Sequence, residues 1–274
     1  MLDQTTSARQ QIRESVLGVP VCVVAWADAV DSIFSWAFRR ESRTVCACNV
    51  HSIITARRNA EHAIALESAD LAIPDGAPVA WVLRRSGHWD QERISGPDLM
   101  WNCCGVASEN GAEMFLYGGT AATLQSLEQR LRAEFPGINI VGTFSPPFRD
   151  LSGEEDSLII EMINQSGARI VWVGLGCPKQ EAWLRAHRGR VNAVLVGVGA
   201  AFDFHARVSK RAPLWMQRNG LEWLHRLWRE PRRLARRYLV ANSLFILGVL
   251  RDFPLRRPRS ATRDHSLAES RGNR

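Results

Sequence analysis

The sequence predicts an α/β protein with a doubly wound, largely parallel sheet, helices on both faces, and a C-terminal helical appendage. Three observations carry that prediction. The runs at 44–49 (TVCACN), 114–119 (MFLYGG), 170–174 (IVWVG) and 193–200 (AVLVGVGA) lack polar alternation, as strands covered on both faces do. Each leads through a glycine or polar turn into a stretch with helical spacing of apolar residues. A chain of 274 residues with 46% hydrophobic content can bury one large core.

Taken in order, residues 21–26 (VCVVAW) read as a first strand, and 28–40 as a helix with Ile33, Phe34, Trp36 and Ala37 on its apolar face. The strand 44–49 ends in Asn49-Val50-His51-Ser52, just before a helix expected to run to about Leu66. In 69–76 (ADLAIPDG) an apolar run stops at Pro74, and Asp75-Gly76 sets a carboxylate on the turn. Helices at 77–86 and 96–110 flank a polar loop, GHWDQERIS, suited to cover or line a cleft. Gly118-Gly119 lead into Thr120 and a long helix to Phe135. Backbone N–H groups left free there would suit a phosphate, although neither glycine-rich phosphate pattern is matched. Residues 138–144 are a fifth strand, and Ser152 with Glu155 forms the capping-box pattern of a helix to about Ser166.

The segment 169–181 (RIVWVGLGCPKQE) is the centre of the reading. A buried strand runs through Gly174 and Gly176 into Pro178, which suits a first helical position, and so presents Lys179 and Gln180 at a strand end. After 193–200 come Ala201-Phe202-Asp203-Phe204-His205. The rest of the chain is helical: 214–219, 221–229 with Leu221, Leu224 and Leu227, and a stretch opening at Pro231. There Arg232, Arg233, Arg236 and Arg237 form one basic stripe beside a short apolar run. Such a stripe fits an interfacial helix whose cations meet lipid phosphates, or equally a solvated face of a helix packed on the core. From Pro254 onward the composition is that of a disordered tail. The domain reading is therefore 1–206 for the α/β unit, 207–253 for the basic appendage and 254–274 for the tail.

Charge follows the same division. Residues 207–274 hold 17 Lys/Arg against 5 Asp/Glu, whereas 1–206 hold 18 against 23. The basic quarter points to an anionic partner: phosphates, acidic lipid or nucleic acid. The six cysteines form no C-x-x-C pair and several sit in apolar runs, so reduced buried thiols and a cytoplasmic setting are expected. The polar N-terminal residues lack the apolar core of a signal peptide. The longest apolar run, 238–250, has 13 residues, short of the roughly 20 that span a bilayer.

Asn49, Asp75, Gly118-Gly119, Lys179-Gln180 and Asp203 should share the rim at the strands' carboxyl ends, where open α/β sheets bind ligands. His51 lies on the same rim, with capping or packing as its plainer use. Asp75 could serve simply as an N-cap, and the glycine turn as an ordinary connection. One carboxylate, an amide and nearby arginines suit displacement at a centre carrying a diphosphate leaving group: a base takes the acceptor proton and cations stabilise the departing charge. No D-x-D stands in the chain and no His/Cys group has ligand spacing, so no metal or other cofactor is expected.

The motifs ADLAIPDG, FLYGGT, VGLGCPKQE, GVGAAFDFHA and RAPLWMQRNGLEWLHRLWREPRRLARRYL, in that order, resemble those of the WecG/TagA/CpsF glycosyltransferases, glycosyltransferase family 26. The resemblance spans roughly 21–250. It implies an inverting, metal-independent transfer of a hexose, N-acetylmannosamine or glucose, from a UDP-sugar to a polyprenyl-diphosphate-linked sugar at the inner face of the cell membrane. By it, Asp75 matches the proposed general base, Gln180 a glutamine lining the sugar site, and Asp203 falls near a nucleoside contact. Arg226, Arg229, Arg233 and Arg236 belong to an appendage whose arginines close over the diphosphate and touch an anionic membrane. Two departures stand out. Ala47 replaces a threonine common in the family, leaving any hydroxyl contact to His51 or Ser52, and Arg207 replaces a glycine. A non-catalytic UDP-sugar-binding protein is the alternative. A nucleic-acid-binding module is disfavoured because the basic tail mixes arginine with leucine and tryptophan and shows no reader motif. The sequence leaves room for a homo-oligomer.

Overall fold

A computed structural model describes residues 11–252, apart from the side chains of Leu214, Arg218 and Arg233. The expected tail at 254–274 and the N-terminal reading of residues 1–10 lie outside the described residues.

Two short strands, β1 (Arg13–Val16) and β2 (Val19–Cys22), form an antiparallel hairpin. Its turn is Leu17-Gly18, both at positive φ (52° and 89°), the backbone that two-residue hairpin loops need. This corrects the expected first strand at 21–26: β2 is shorter, starts earlier and pairs with β1 alone. Helix α1 (Trp26–Phe38) follows, then β3 (Arg43–Cys48). The single helix expected to reach Leu66 is two, α2 (Val50–Ala56) and α3 (Ala60–Glu67). Asn59 restarts the chain by accepting a bond from the His62 N–H at 3.0 Å, as a favoured N-cap residue does.

The remaining elements alternate as predicted: β4 (Leu71–Pro74), α4 (Ala77–Arg85), α5 (Gly96–Asn110), β5 (Glu113–Gly118), α6 (Ala121–Glu134), β6 (Asn139–Phe144), α7 (Gly153–Gln165), β7 (Ile170–Gly174), α8 (Lys179–His187), β8 (Val194–Gly197) and α9 (Ala201–His205). The reciprocal bonds of the Ser152–Glu155 capping box are both present. Strands β3 to β8 make one parallel, six-stranded sheet in the order β4-β3-β8-β7-β5-β6. Helices flank it, so the fold is the doubly wound α/β class read from the sequence. The chain crosses from the β3–β4 edge to β5, and β7 and β8 later fill the middle. That insertion sets the carboxyl ends of β3, β8 and β7 at the centre of the rim, where the strand order reverses.

The core is apolar on both faces of the sheet; Trp172, Phe115, Tyr117, Ile73 and Leu71 are almost wholly enclosed. Three helices end the described chain: α10 (Leu214–Arg218), α11 (Glu222–Arg229) and α12 (Pro231–Asp252). Helix α12 buries Leu234, Ala241, Phe245 and Val249, spaced at seven and four residues, which is one helical stripe. It leaves Leu239, Val240, Ile246, Leu247 and Leu250 exposed. Helix α12 is thus packed on the core by one face and apolar to the outside on the other. Among the described residues no helix is long and apolar enough to cross a membrane.

Candidate active site

The ladder between β3 and β4 continues one residue past β4: the Asp75 N–H donates to the Cys48 carbonyl at 3.1 Å. Gly76 then takes φ +93°, a conformation that favours glycine, and is itself the N-cap residue of α4, which has no side-chain cap. Asp75 is therefore not the cap of α4. Its Oδ2 instead accepts from Asn49 Nδ2 at 3.2 Å, while Asn49 Oδ1 accepts from the Ser52 N–H at 3.1 Å. One asparagine thus caps α2 and fixes the carboxylate. His51, in the first turn of α2, is half-buried; burial first, then the charge of Arg237 and of His62, push its pKa down to about 4, so its ring is neutral at pH 7.

Burial pushes the Asp75 carboxyl up to about 6, against the Asn49 hydrogen bond, which lowers it; Glu222 raises it further, and Arg93 and Arg226 pull it down. Three of these groups come from outside the strand ends. Arg93 stands in the polar loop, which lies along β4 because the Ile94 N–H donates to the Pro74 carbonyl at 3.0 Å. The loop is further held by buried Gln91, bonded to both backbone groups of Val24 at 2.9 and 2.8 Å. Glu222 and Arg226 come from α11. That helix is clamped over the rim by ion pairs: Arg93 to Glu222 at 3.4 Å, Arg211 to Glu222 at 3.3 Å, and Arg211 to Asp98. Gly220 is needed at this junction, since a Cβ there would stand 2.7 Å from the Cβ of Ala77. Arg226 also lies over the Phe204 ring, 5.4 Å from its centroid. The result is a carboxylate at a strand end, oriented by an amide and roofed by arginines.

The glycine flank of the rim is built differently. Gly118 (φ +119°) leaves no room for a side chain, because a Cβ would meet the Gly174 carbonyl carbon and oxygen at 2.7 Å. The Gly119 N–H donates to the Gly174 carbonyl at 3.2 Å, and the Thr120 side chain accepts from the Thr123 N–H at 3.1 Å. Of the backbone N–H groups expected to be free here, that of Gly119 is engaged: it closes β5 against β7, and Gly118 serves close backbone approach.

At the end of β7, Pro178 stands one residue before α8 rather than inside it. Lys179 and Gln180 diverge: Lys179 is exposed, whereas Gln180 is 3% exposed. Gln180 Oε1 accepts from the Gly199 N–H at 2.8 Å and its Nε2 donates to Glu181 Oε1 at 3.2 Å. The glutamine so fixes the loop between β8 and α9. Gly197 makes room for it, since a Cβ there would lie 2.5 Å from Nε2. Asp203 is exposed on α9, and its carbonyl accepts from the Ser209 N–H at 3.1 Å.

Of the appendage arginines singled out whose side chains are described, Arg226 acts electrostatically on Asp75. Arg229 and Arg236 are exposed, and the side chain of Arg233 lies outside the described residues. Arg237, part of the stripe but not singled out, acts electrostatically on His51, Cys177 and Glu181. At the two departures from the family pattern, Ser52 cannot replace the missing hydroxyl of Ala47, because it is buried and its Oγ lies 3.1 Å from His62 Nε2. Arg207 holds φ +58°, which is why glycine suits that position.

Sequence reasoning missed Arg93, Glu222 and the group formed by His62, Cys177 and Glu181, in which one ligand atom from each lies within 4.8 Å of the others. The polar loop and the acidic residue amid a basic arm were visible signals for the first two. A family model, that of the glycosyl transferase WecG/TagA/CpsF family, matches residues 14–259. With a matching span that takes in the whole sheet, the rim and the helical arm, the chain belongs to the WecG/TagA/CpsF family and is a glycosyltransferase.

Proposed function

We propose that this glycosyltransferase moves a hexose, N-acetylmannosamine or glucose, from a UDP-sugar to a polyprenyl-diphosphate-linked sugar during synthesis of a cell-surface polysaccharide. The observation that carries this reading is Asp75: a carboxylate at a strand end, raised to about 6, hydrogen-bonded by Asn49 and faced by Arg93 and Arg226. In the proposed reaction the acceptor hydroxyl gives its proton to the Asp75 carboxylate as its oxygen bonds to the sugar's anomeric carbon. The bond from that carbon to the UDP oxygen breaks on the opposite face, and the configuration inverts. Charge developing on the diphosphate falls to arginines, with Arg226 the best placed. No metal or other cofactor takes part in this scheme.

Gln180 and Asn49 order the loops around the sugar, His51 presents a neutral ring, Gly118 and Gly119 shape the floor, and Lys179 and Asp203 lie at the outer edge toward the nucleotide. The arm at 207–253 serves as the membrane appendage: the exposed apolar face of α12 enters the lipid interface while Arg229, Arg233 and Arg236 meet anionic headgroups or the diphosphate. The enzyme would then work at the inner face of the cell membrane.

The test is UDP release from a panel of UDP-hexoses by the full-length chain, with and without liposomes carrying a lipid-diphosphate-linked sugar. The expected result is acceptor-dependent release from one donor. UDP binding without release on any acceptor would replace this reading with that of a non-catalytic UDP-sugar-binding protein.

A further inference from the structure

Beside the catalytic rim, outside the proposed chemistry, three metal-ligating side chains converge from separate parts of the chain: His62 of α3, Cys177 of the turn after β7, and Glu181 of α8. His62 and Glu181 are each 2% exposed, and Cys177 is half-buried. The Cys177 Sγ lies 3.7 Å from His62 Nε2, and Glu181 Oε2 lies 3.8 Å from His62 Nδ1. Both His62 Nδ1 and Glu181 Oε2 are buried without a hydrogen-bond partner. A polar atom enclosed in this way is costly unless something satisfies it, and here two such atoms face each other across a gap too long for a hydrogen bond.

We propose that His62, Cys177 and Glu181 form a binding site for a thiophilic divalent cation of the zinc class. Bonds of about 2.0–2.3 Å to nitrogen, oxygen and sulfur in a tetrahedral site set ligand atoms roughly 3.3–3.8 Å apart. A metal takes one imidazole nitrogen: with Nδ1, the unpartnered one, the 3.8 Å to Glu181 Oε2 falls in that range, and one ligand atom from each of the three residues lies within 4.8 Å of the others. The ligand set is the nitrogen, sulfur and oxygen mixture that Zn²⁺ accepts. A thiolate and a carboxylate together balance a divalent charge, and Arg237, which acts on both, favours their ionised forms. Ser52, whose Oγ lies 3.1 Å from His62 Nε2, orients the imidazole as an outer partner of a metal-bound histidine does. The half-buried Cys177 gives the entry path and leaves a fourth position open to solvent. Because Glu181 Oε1 also accepts from Gln180, a cation here would stiffen the Gln180 clamp on Gly199 without touching the substrate.

The experiment is titration of the full-length, metal-stripped protein with Co²⁺, whose thiolate charge-transfer band in the near ultraviolet reports a sulfur ligand, followed by displacement with Zn²⁺. The expected result is one Co²⁺ per chain with that band, displaced by an equivalent of Zn²⁺, and a rise in Tm with Zn²⁺. In Cys177→Ser the band disappears; in His62→Gln affinity falls at least tenfold; in Cys103→Ala, in the core at a distance, both are kept. Circular dichroism shows that each variant is folded. Absence of stoichiometric Co²⁺ binding, or a band that survives Cys177→Ser in a folded protein, would overturn the proposal and leave a direct His62–Glu181 pair. None of these readings depends on transferase activity, so this site and the proposed reaction fail separately.

Discussion

Asp75 and Glu181 stand on the same rim, after β4 and β7, and burial raises the pKa of both. Their surroundings then part them. Asp75 is half-buried, takes a hydrogen bond from a side-chain amide, and has Arg93 and Arg226 near it. Glu181 is enclosed, bonded to Gln180, and turned toward His62 and Cys177. The comparison teaches that a raised carboxylate does not by itself mark the reacting group. What separates the two is access: Asp75 is half-buried and faced by Arg93 and Arg226, whereas Glu181 is 2% exposed and has one arm cation, Arg237, acting on it.

If that distinction holds, the arm should matter at Asp75. Arg226→Ala is expected to lower kcat/KM about 100-fold, the scale set by loss of one group that stabilises developing charge, as read by acceptor-dependent UDP release. An effect under threefold would remove Arg226 from the site and leave the two carboxylates harder to tell apart.

The pH profile sharpens the same contrast. A base must be deprotonated to act, so kcat/KM is expected to rise with pH through about 6, the value to which Asp75 is pushed. The Asn49 hydrogen bond lowers that pKa, so Asn49→Ala should move the midpoint upward, and loss of the α2 cap should cost about 1 kcal/mol of stability. A flat profile between pH 5 and pH 7, in wild type and variant alike, would contradict the assignment.

The smallest expected effect lies away from both carboxylates. Arg207 holds positive φ (58°), and Arg207→Gly should stabilise the fold by about 0.5–1 kcal/mol, the αL cost relieved less the entropy added to the unfolded chain. Chemical denaturation measures it, and transfer should not change.

The sequence made the sheet legible because buried parallel strands are short apolar runs ending in glycine or a polar turn, and Ser152 with Glu155 announced a helix in plain form. The β1–β2 hairpin was hidden: its strands are four residues each, and Leu17-Gly18 is not one of the strong turn pairs. The break between α2 and α3 was hidden too, since apolar spacing continues across it and only the Asn59 cap interrupts it. At the site, Asn49 and Asp75 could be nominated singly as strand-end residues, but their bond joins positions 26 apart and appears only once β3 and β4 pair. The roof of Arg93, Arg226 and Glu222 depends on how α11 packs, which no local pattern encodes. His62 and Cys177, 115 residues apart, meet only because β3 and β7 both border β8. Local spacing finds metal ligands on one element, not on three.

The most direct test of Asp75 as the reacting base is Asp75→Asn, measured for transfer, UDP binding and stability together. Transfer should fall about 1000-fold, within the range attributed to a general base, while UDP binding stays within about twofold of wild type. The folded-state pKa, about 6, lies above the ordinary 3.8. The group therefore favours folding below about pH 4, and that contribution is lost as pH rises through about 6. At pH 7 the buried charge costs about 1–3 kcal/mol, which the neutral amide avoids, so the variant should also show a higher Tm. A variant that turns over within tenfold of wild type would contradict the account and return the search for the base to the rest of the rim.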